Sequence, residues 1–251
     1  EVLAEFAADR RITLFEAARS QEALSRIKGR AKSGLQGFAE VVTAFLDAYL
    51  ALGYLPAPLT PFHDIQKLPQ AHCLALEDGK PPRIWRYWEP RYAPKREFDE
   101  AQALEELDHR LREAVRIRLR SDVPFGAFLS GGVDSSTVVT LMSQVLPTPV
   151  KTFSIGFEED SHNELPFARQ VAQRAGTQHE EAVVRIGDLS ILPDLARHLD
   201  EPFADASVLP TYHVARNAAS HVTMVLSGDG GDELFGGYTR YVNERLLQKF
   251  S

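Results

Sequence analysis

Gly126-Ala127-Phe128-Leu129-Ser130-Gly131-Gly132-Val133-Asp134-Ser135-Ser136 is a short apolar run that breaks into two glycines and then into hydroxyls and a carboxylate. The apolar part, Gly126 to Leu129, predicts a buried strand, and the residues from Ser135 to Val145 predict a helix. Between them, glycine lets the backbone turn sharply and approach an anion, while a helix N-terminus presents free N–H groups and a partial positive charge. The serine hydroxyls add donors, so the stretch predicts a phosphate cradle. It is not the lysine-terminated nucleotide P-loop, because no lysine closes it. A carboxylate beside bound phosphates repels them unless a divalent cation lies between, so Asp134 points to a metal-bound polyphosphate. A turn with a helix cap would explain Ser130-Gly131-Gly132 alone; adding Asp134-Ser135-Ser136 argues for the cradle.

Toward the C-terminus the pattern alternates. Strands are expected at Lys151 to Phe157, His179 to Val184 and Val222 to Leu226. Helices are expected at Glu164 to Ala175, Leu189 to Leu199, Val208 to Ala218 and after Tyr238. Continuous apolar strands separated by amphipathic helices predict an α/β fold with a parallel, doubly wound sheet, whose ligands bind where strands end and helices begin. A second glycine loop sits at such a point: Leu226-Ser227-Gly228-Asp229-Gly230-Gly231-Asp232-Glu233-Leu234-Phe235-Gly236-Gly237-Tyr238. Its five glycines and three acids read as neither helix nor strand, but as backbone and carboxylates kept for binding. If Asp134 and Asp232 face each other across the strand ends, they form an oxygen site for Mg²⁺.

Toward the N-terminus, Asp99 can cap a helix with Leu104, Leu107, Leu111, Val115 and Leu119 on one stripe. The Arg110 to Arg120 run on that helix reads as a solvated face. Before it, the spacing of Val41, Val42, Phe45, Tyr49 and Leu52 predicts a helix ended by Gly53. A connector with Pro56, Pro58 and Pro61 follows, then short strands within Ile65 to Trp88 around turns at Asp78-Gly79 and Pro81-Pro82. A boundary near Ala93 divides a partial mixed α/β segment, 1–92, from a nucleotide-binding domain, 93–251. Tyr87-Trp88 reads as interdomain packing, Cys73 as a core residue, and His179 and His198 as structural histidines.

The 251 residues are 44% hydrophobic and 25% charged, ordinary globular composition, with net charge -7. Residues 1–120 balance at +1 and residues 121–251 at -8; the second part also holds 11 of the 16 glycines. That charge argues against a nucleic-acid partner. A lone cysteine excludes an internal disulfide and fits a cytoplasmic chain. The most apolar stretch, Val41 to Leu55, is too short to cross a membrane. The chain begins without Met and stops within an amphipathic pattern, so a piece of a longer polypeptide is expected.

Taken together, Ser130-Gly131-Gly132-Val133-Asp134-Ser135-Ser136 and the loop from Leu226 to Tyr238 resemble the synthetase domain of glutamine-hydrolysing asparagine synthetases, a branch of the PP-loop ATP pyrophosphatases. Thr152 to Phe157, Asn163-Glu164, Ala168-Arg169, Gly176 to His179, Asp200 to Asp205 and Pro210 to Tyr212 fall in that family's order. Upstream, Gly53 to Pro56, Thr60 to Phe62 and Tyr87-Trp88 are similar to the tail of its glutaminase domain. The resemblance implies that Ser130, Gly131, Gly132, Asp134, Ser135 and Ser136 hold the β and γ phosphates of ATP. It implies that Asp134 and Asp232 ligate Mg²⁺, and that the main chain at Leu129, Ile155, Ser227 and Gly228 meets adenine and ribose. Asp229 would handle protons during amide formation, and Asp205, Ser207 and Tyr212 would border the acceptor pocket. The implied reaction activates an aspartate-like carboxylate as an acyl-adenylate, releasing pyrophosphate, then amidates it with ammonia from a glutaminase domain. The family's glutaminase uses an N-terminal cysteine where this chain has Glu1, so no glutamine hydrolysis is expected of it, and a phosphate-binding lysine is expected after Ser251. Asp205 stands where some members carry an arginine for aspartate. Two alternatives stay open: a relative acting on another carboxylate, as β-lactam synthetases and lasso-peptide cyclases do, and a nucleotide-binding module without catalysis; a homodimer is compatible with any of these.

Overall fold

A computed structural model describes residues 45–62, 65–95, 97, 99–158, 163–184, 189–199 and 201–247. Residues 45–52 are helical. In chain order the further elements are β1 (His72–Ala75), β2 (Arg83–Arg86), α1 (Glu100–Arg118), β3 (Phe125–Phe128), α2 (Val133–Val145), β4 (Lys151–Phe157), α3 (Leu165–Ala175) and β5 (Gln178–Val184). Then come α4 (Leu192–Leu199), α5 (Val208–Ala219), β6 (Met224–Leu226), α6 (Gly231–Phe235) and α7 (Thr239–Leu247). Among the described residues no helix is long and apolar enough to cross a membrane.

The chain divides into two units, Glu1–Lys95 with Leu189–Asp205, and Arg96–Asp188 with Ala206–Ser251. In the first, the helix over 45–52 buries Ala48 and ends where Gly53 takes a left-handed φ of 77° and donates its N–H to Tyr49 O at 2.7 Å. The expected start of this helix, with Val41 and Val42, lies outside the described residues. Lys67 ties three stretches together: its Nζ donates to Leu55 O at 2.6 Å and pairs with Glu201 Oε1 at 2.5 Å. β1 and β2 pair antiparallel, with Cys73 opposite Trp85 and the Arg83 guanidinium 4.5 Å from the Trp85 ring centroid. Cys73 is half-buried rather than a core residue. Among the described residues its ladder has only two strands, too few to close a face.

The second unit carries a four-stranded parallel sheet in the order β5-β4-β3-β6. Strand side chains alternate between its faces, and each face has its own core. Ala127, Leu129 and Leu226 pack with Val115 of α1, Val139, Leu141 and Met142 of α2, and Ala168 and Ala172 of α3. Phe128, Phe153, Ile155 and Val225 pack with Val214 and Ala218 of α5. This is the doubly wound α/β fold. Asp99 caps α1 by accepting from the Gln102 N–H at 2.9 Å. The apolar stripe of α1 is used only in its later turns: Val115 is buried and Leu111 and Leu119 pack on the core, while Leu104 is exposed. Its polar faces carry Glu106–Arg110, Asp108–Arg112 and Glu113–Arg116 pairs, the solvated surface its charge pattern implies.

Candidate active site

Both glycine loops leave the C-terminal ends of neighbouring parallel strands, β3 and β6. In the first loop Gly131 has φ 84°, and a Cβ there would fall 2.6 Å from Phe167 C, Phe167 Cβ and Ala168 N. Only glycine lets this backbone rest on the first turn of α3. The loop is closed by its own serines. Ser135 Oγ accepts from the Ser130 N–H at 3.2 Å, lies 2.9 Å from Ser130 Oγ and donates to Gly132 O at 3.3 Å, while the Gly132 N–H donates to Ser130 Oγ at 3.2 Å. The buried Ser135 hydroxyl therefore shapes the loop. Gly132 caps α2 without a side-chain bond, so the N–H groups of the first turn have no capping side chain. Ser136 Oγ is buried without a hydrogen-bond partner among the described residues. A buried hydroxyl left unmatched beside open helix N–H groups suits a phosphate oxygen.

The second loop packs directly on this turn. A Cβ on Gly228 would stand 2.8 Å from Ser135 N and 3.0 Å from Asp134 Cβ, and one on Gly231 would collide with the Asp134 carboxylate. The Asp232 carboxylate lies against Gly237. Ser227 Oγ donates to Asp229 Oδ2 at 2.8 Å, leaving the exposed Asp229 carboxylate held at the loop's tip. The stretch is not wholly irregular: α6 forms within it, flanked by left-handed Gly230 (φ 93°) and Gly236 (φ 71°). The glycine count argues against a helix only when glycines sit inside it; here two serve as caps. The Tyr238 hydroxyl donates to Glu233 Oε1 at 2.7 Å, and that carboxylate pushes the phenol up to about 12. Among the described residues no three of His, Cys, Asp and Glu gather as a metal cluster. The carboxylates of Asp134 and Asp232 are hard oxygen donors of the kind that suit Mg²⁺ when phosphate and water complete its shell.

Beside the first loop, a half-open cavity is lined by Phe128, Leu129, Ser130, Phe153, Ser154, Ile155, Glu164, Ala168 and Val214. Leu129, Ser130 and Ile155 are residues singled out from the sequence. Phe153, Ser154 and Val214 are not; they converge only because β4 and α5 pack together. The main chain of Leu129 is already engaged, its N–H donating to Phe153 O at 2.9 Å and its carbonyl accepting from Ser154 Oγ. Along β4 the main-chain groups alternate in direction. Val150 O accepts from Gln178 toward β5 and Phe153 O accepts from Leu129 toward β3, so Ile155 turns its amide and carbonyl to the side that β3 has left. That gives the cavity a donor–acceptor pair. Ser207 and Tyr212 flank the start of α5, outside the cavity lining, and Asp205 belongs to the first unit. His179 is structural. Its Nδ1 is 2.9 Å from Thr152 Oγ1, and its Nε2 stands 3.3 Å from Glu181 Oε1 without hydrogen-bond alignment. Burial lowers the imidazole below its usual range against the pull of Glu181, whose carboxylate is itself lowered by a two-point bond to Arg169 at 2.8 and 2.7 Å.

Residues 106–251 match the family model described as asparagine synthase. The chain is 43% identical over 202 residues to a Methanocaldococcus jannaschii protein provisionally named asparagine synthetase (glutamine-hydrolyzing) 2, covering 79% of this chain and 39% of that one. It is 32% identical over 216 residues to asparagine synthetase (glutamine-hydrolyzing) 1 of Bacillus subtilis, covering 86% and 34%. It thus spans well under half the length of these relatives. Among solved structures, the NH3-dependent NAD synthetase from Campylobacter jejuni superimposes with a TM-score of 0.38 at 17% identity, over 53% of this chain and 60% of that one. The family model covers more than half of the chain, including both strand-end glycine loops, and the chain belongs to the asparagine synthase family.

Proposed function

We propose that the chain carries the ATP-using half of an amide-forming ligase that activates a small aspartate-like carboxylate and delivers it to ammonia. The observation that carries this reading is the packing of Gly228 and Gly231 against Asp134 and Ser135, in the same turn whose Ser130 lines the cavity with Leu129 and Ile155. In this reading the cavity takes adenine, with the Ile155 amide and carbonyl as its polar partners. The open N–H groups of α2 with Ser130, Gly131, Gly132 and Ser136 take the β and γ phosphates, while Ser135 holds the turn in shape. Ser227 and Gly228 border the ribose. Mg²⁺ held by Asp134 and Asp232 would neutralise the polyphosphate charge. The substrate carboxylate attacks the α-phosphorus, the bond to the β-phosphate oxygen breaks, and pyrophosphate leaves with that electron pair. A site preorganised for anionic oxygen favours the charge that builds on the leaving group. Ammonia nitrogen then attacks the acyl carbon, the acyl–oxygen bond breaks and AMP departs. Asp229, exposed and oriented by Ser227, accepts the proton from nitrogen. Ser207 and Tyr212 are assigned to the acceptor side.

The test is ATP–pyrophosphate exchange with Mg²⁺ and a panel of small carboxylates. The reading expects exchange stimulated by one carboxylate, with AMP as the nucleotide product; formation of ADP overturns it. Nucleotide binding with no exchange for any carboxylate favours a binding module instead. Asp232→Asn is expected to shift the Mg²⁺ titration of nucleotide binding to higher metal, and an unchanged titration removes Asp232 from the site.

A further inference from the structure

Among the residues that line the cavity, one carries a charge: Glu164. It stands immediately before α3, and its structural duty is done by the main chain, whose carbonyl accepts from the Phe167 N–H at 3.0 Å and the Ala168 N–H at 3.1 Å. Its side chain makes no capping bond. Among the described residues no cation is paired with the carboxylate; Arg169, the basic residue one turn on, is taken up by Glu181 at two points. An acceptor is thus presented at a wall that is otherwise built from Phe128, Leu129, Phe153, Ile155, Ala168 and Val214 with two serines. An ionised carboxylate accepts hydrogen bonds and donates none. The Glu164 side chain is exposed, at the rim of this cavity, so it favours a ligand that brings a donor to it over one that brings a second acceptor, which would set two electron-rich oxygens against each other.

Resting on the nucleotide reading above, we propose that Glu164 is a specificity-determining residue: its carboxylate accepts a hydrogen bond from a donor on the nucleoside half of the ligand and selects for nucleotides that carry it. Two groups of an adenine nucleotide offer such a donor, the exocyclic amine of the base and a hydroxyl of the ribose. ITP replaces the amine with an oxo acceptor, and 2′-deoxy-ATP lacks one of the hydroxyls. Ala168 and Phe167 depend on the Glu164 carbonyl and not on its side chain, so Glu164→Gln leaves the entry to α3 intact.

The experiment is calorimetric titration of the full chain and of Glu164→Gln with ATP, ITP and 2′-deoxy-ATP in Mg²⁺, with matched thermal melts as the folding control. The unaltered chain is expected to prefer ATP over one of the two analogues by roughly tenfold or more, the scale of a charge-assisted hydrogen bond lost at a partly open site. Glu164→Gln is expected to lose most of that preference at an unchanged melting temperature, since glutamine can donate as well as accept. Discrimination against ITP assigns the bond to the base, and against 2′-deoxy-ATP to the ribose. If Glu164→Gln keeps both the affinity for ATP and the full ratio over both analogues, the proposal is overturned while the nucleotide reading stands. If the unaltered chain binds no ATP, the nucleotide reading itself fails.

Discussion

Both glycine loops leave adjacent parallel strands, yet they use glycine for different ends. In the first, Gly131 removes a side chain so that main chain can lie on main chain, and Ser130, Gly132 and Ser135 satisfy one another. In the second, Gly231 makes room for the Asp134 carboxylate, while Gly228 lies against the Ser135 main-chain nitrogen and the Asp134 Cβ. The first loop is a rigid mould whose shape belongs to the fold. The second is a wall whose position sets where a carboxylate stands. Substitution of Gly131 should therefore be felt in folding, and of Gly231 in ligand binding.

Gly131→Ala tests this most severely. It meets backbone atoms at 2.6 Å and a left-handed φ together, so a stability loss of roughly 3 kcal/mol or more is expected, read as a lower urea midpoint. A midpoint within error of the unaltered chain would break the comparison. Gly231→Ala meets the end of a side chain that can swing away. The expectation is a urea midpoint close to that of the unaltered chain and about tenfold weaker Mg²⁺-dependent ATP binding, the loss expected when one charge-assisted contact is displaced. Equal destabilisation by both substitutions would show that the loops are one structural unit.

A smaller effect sharpens the same contrast through pH. The floor beneath Gly131 is α3, which Arg169 ties to Glu181 of β5 beside His179. The folded imidazole has its pKa lowered, chiefly by burial, so below the unfolded value near 6.5 the unfolded chain binds more protons and stability falls as pH drops toward the folded value. Glu181, lowered by Arg169, adds acid lability below its ordinary 4.5. Melting temperature should decline from pH 7 to pH 5, and His179→Gln should shrink that decline; an identical pH profile would remove His179 as its source. Smallest of all is Tyr238→Phe, at the end of the second loop. It should leave melting unchanged and delete, from an alkaline spectroscopic titration, the tyrosine that ionises at about 12.

The sheet was legible in the sequence because its signal is local. Lys151 to Phe157 is a run of apolar and small residues, and β4 spans those residues. The helix after Ser130-Gly131-Gly132 starts at Val133 rather than Ser135, since the terminal turn is governed by the Gly132 cap and not by apolar spacing. The loop residues themselves stood out by composition. What escaped was tertiary. Glu164, Phe153, Ser154 and Val214 carry no common motif, and they share a cavity only after β4, the start of α3 and α5 have packed. The caps Gly230 and Gly236 hid α6 for a related reason: composition counts glycines without saying which are interior. The half-exposed Cys73 reflects a two-stranded ladder that periodicity alone could not distinguish from part of a larger sheet.

The division of the chain has a practical corollary. The first unit is discontinuous, since residues 189–205 return to it between β5 and α5, and Lys67 and Gly53 fasten that return through Glu201 and Ala204. No single scission can separate the two units. A polypeptide begun at Arg96 would still carry a stretch whose partners had been removed, with the Glu201 carboxylate deprived of its lysine. Excision of the second unit therefore calls for two edits, one at the Lys95–Arg96 junction and one that replaces residues 189–205, and recombination at one crossover point would be expected to yield misfolded chimeras.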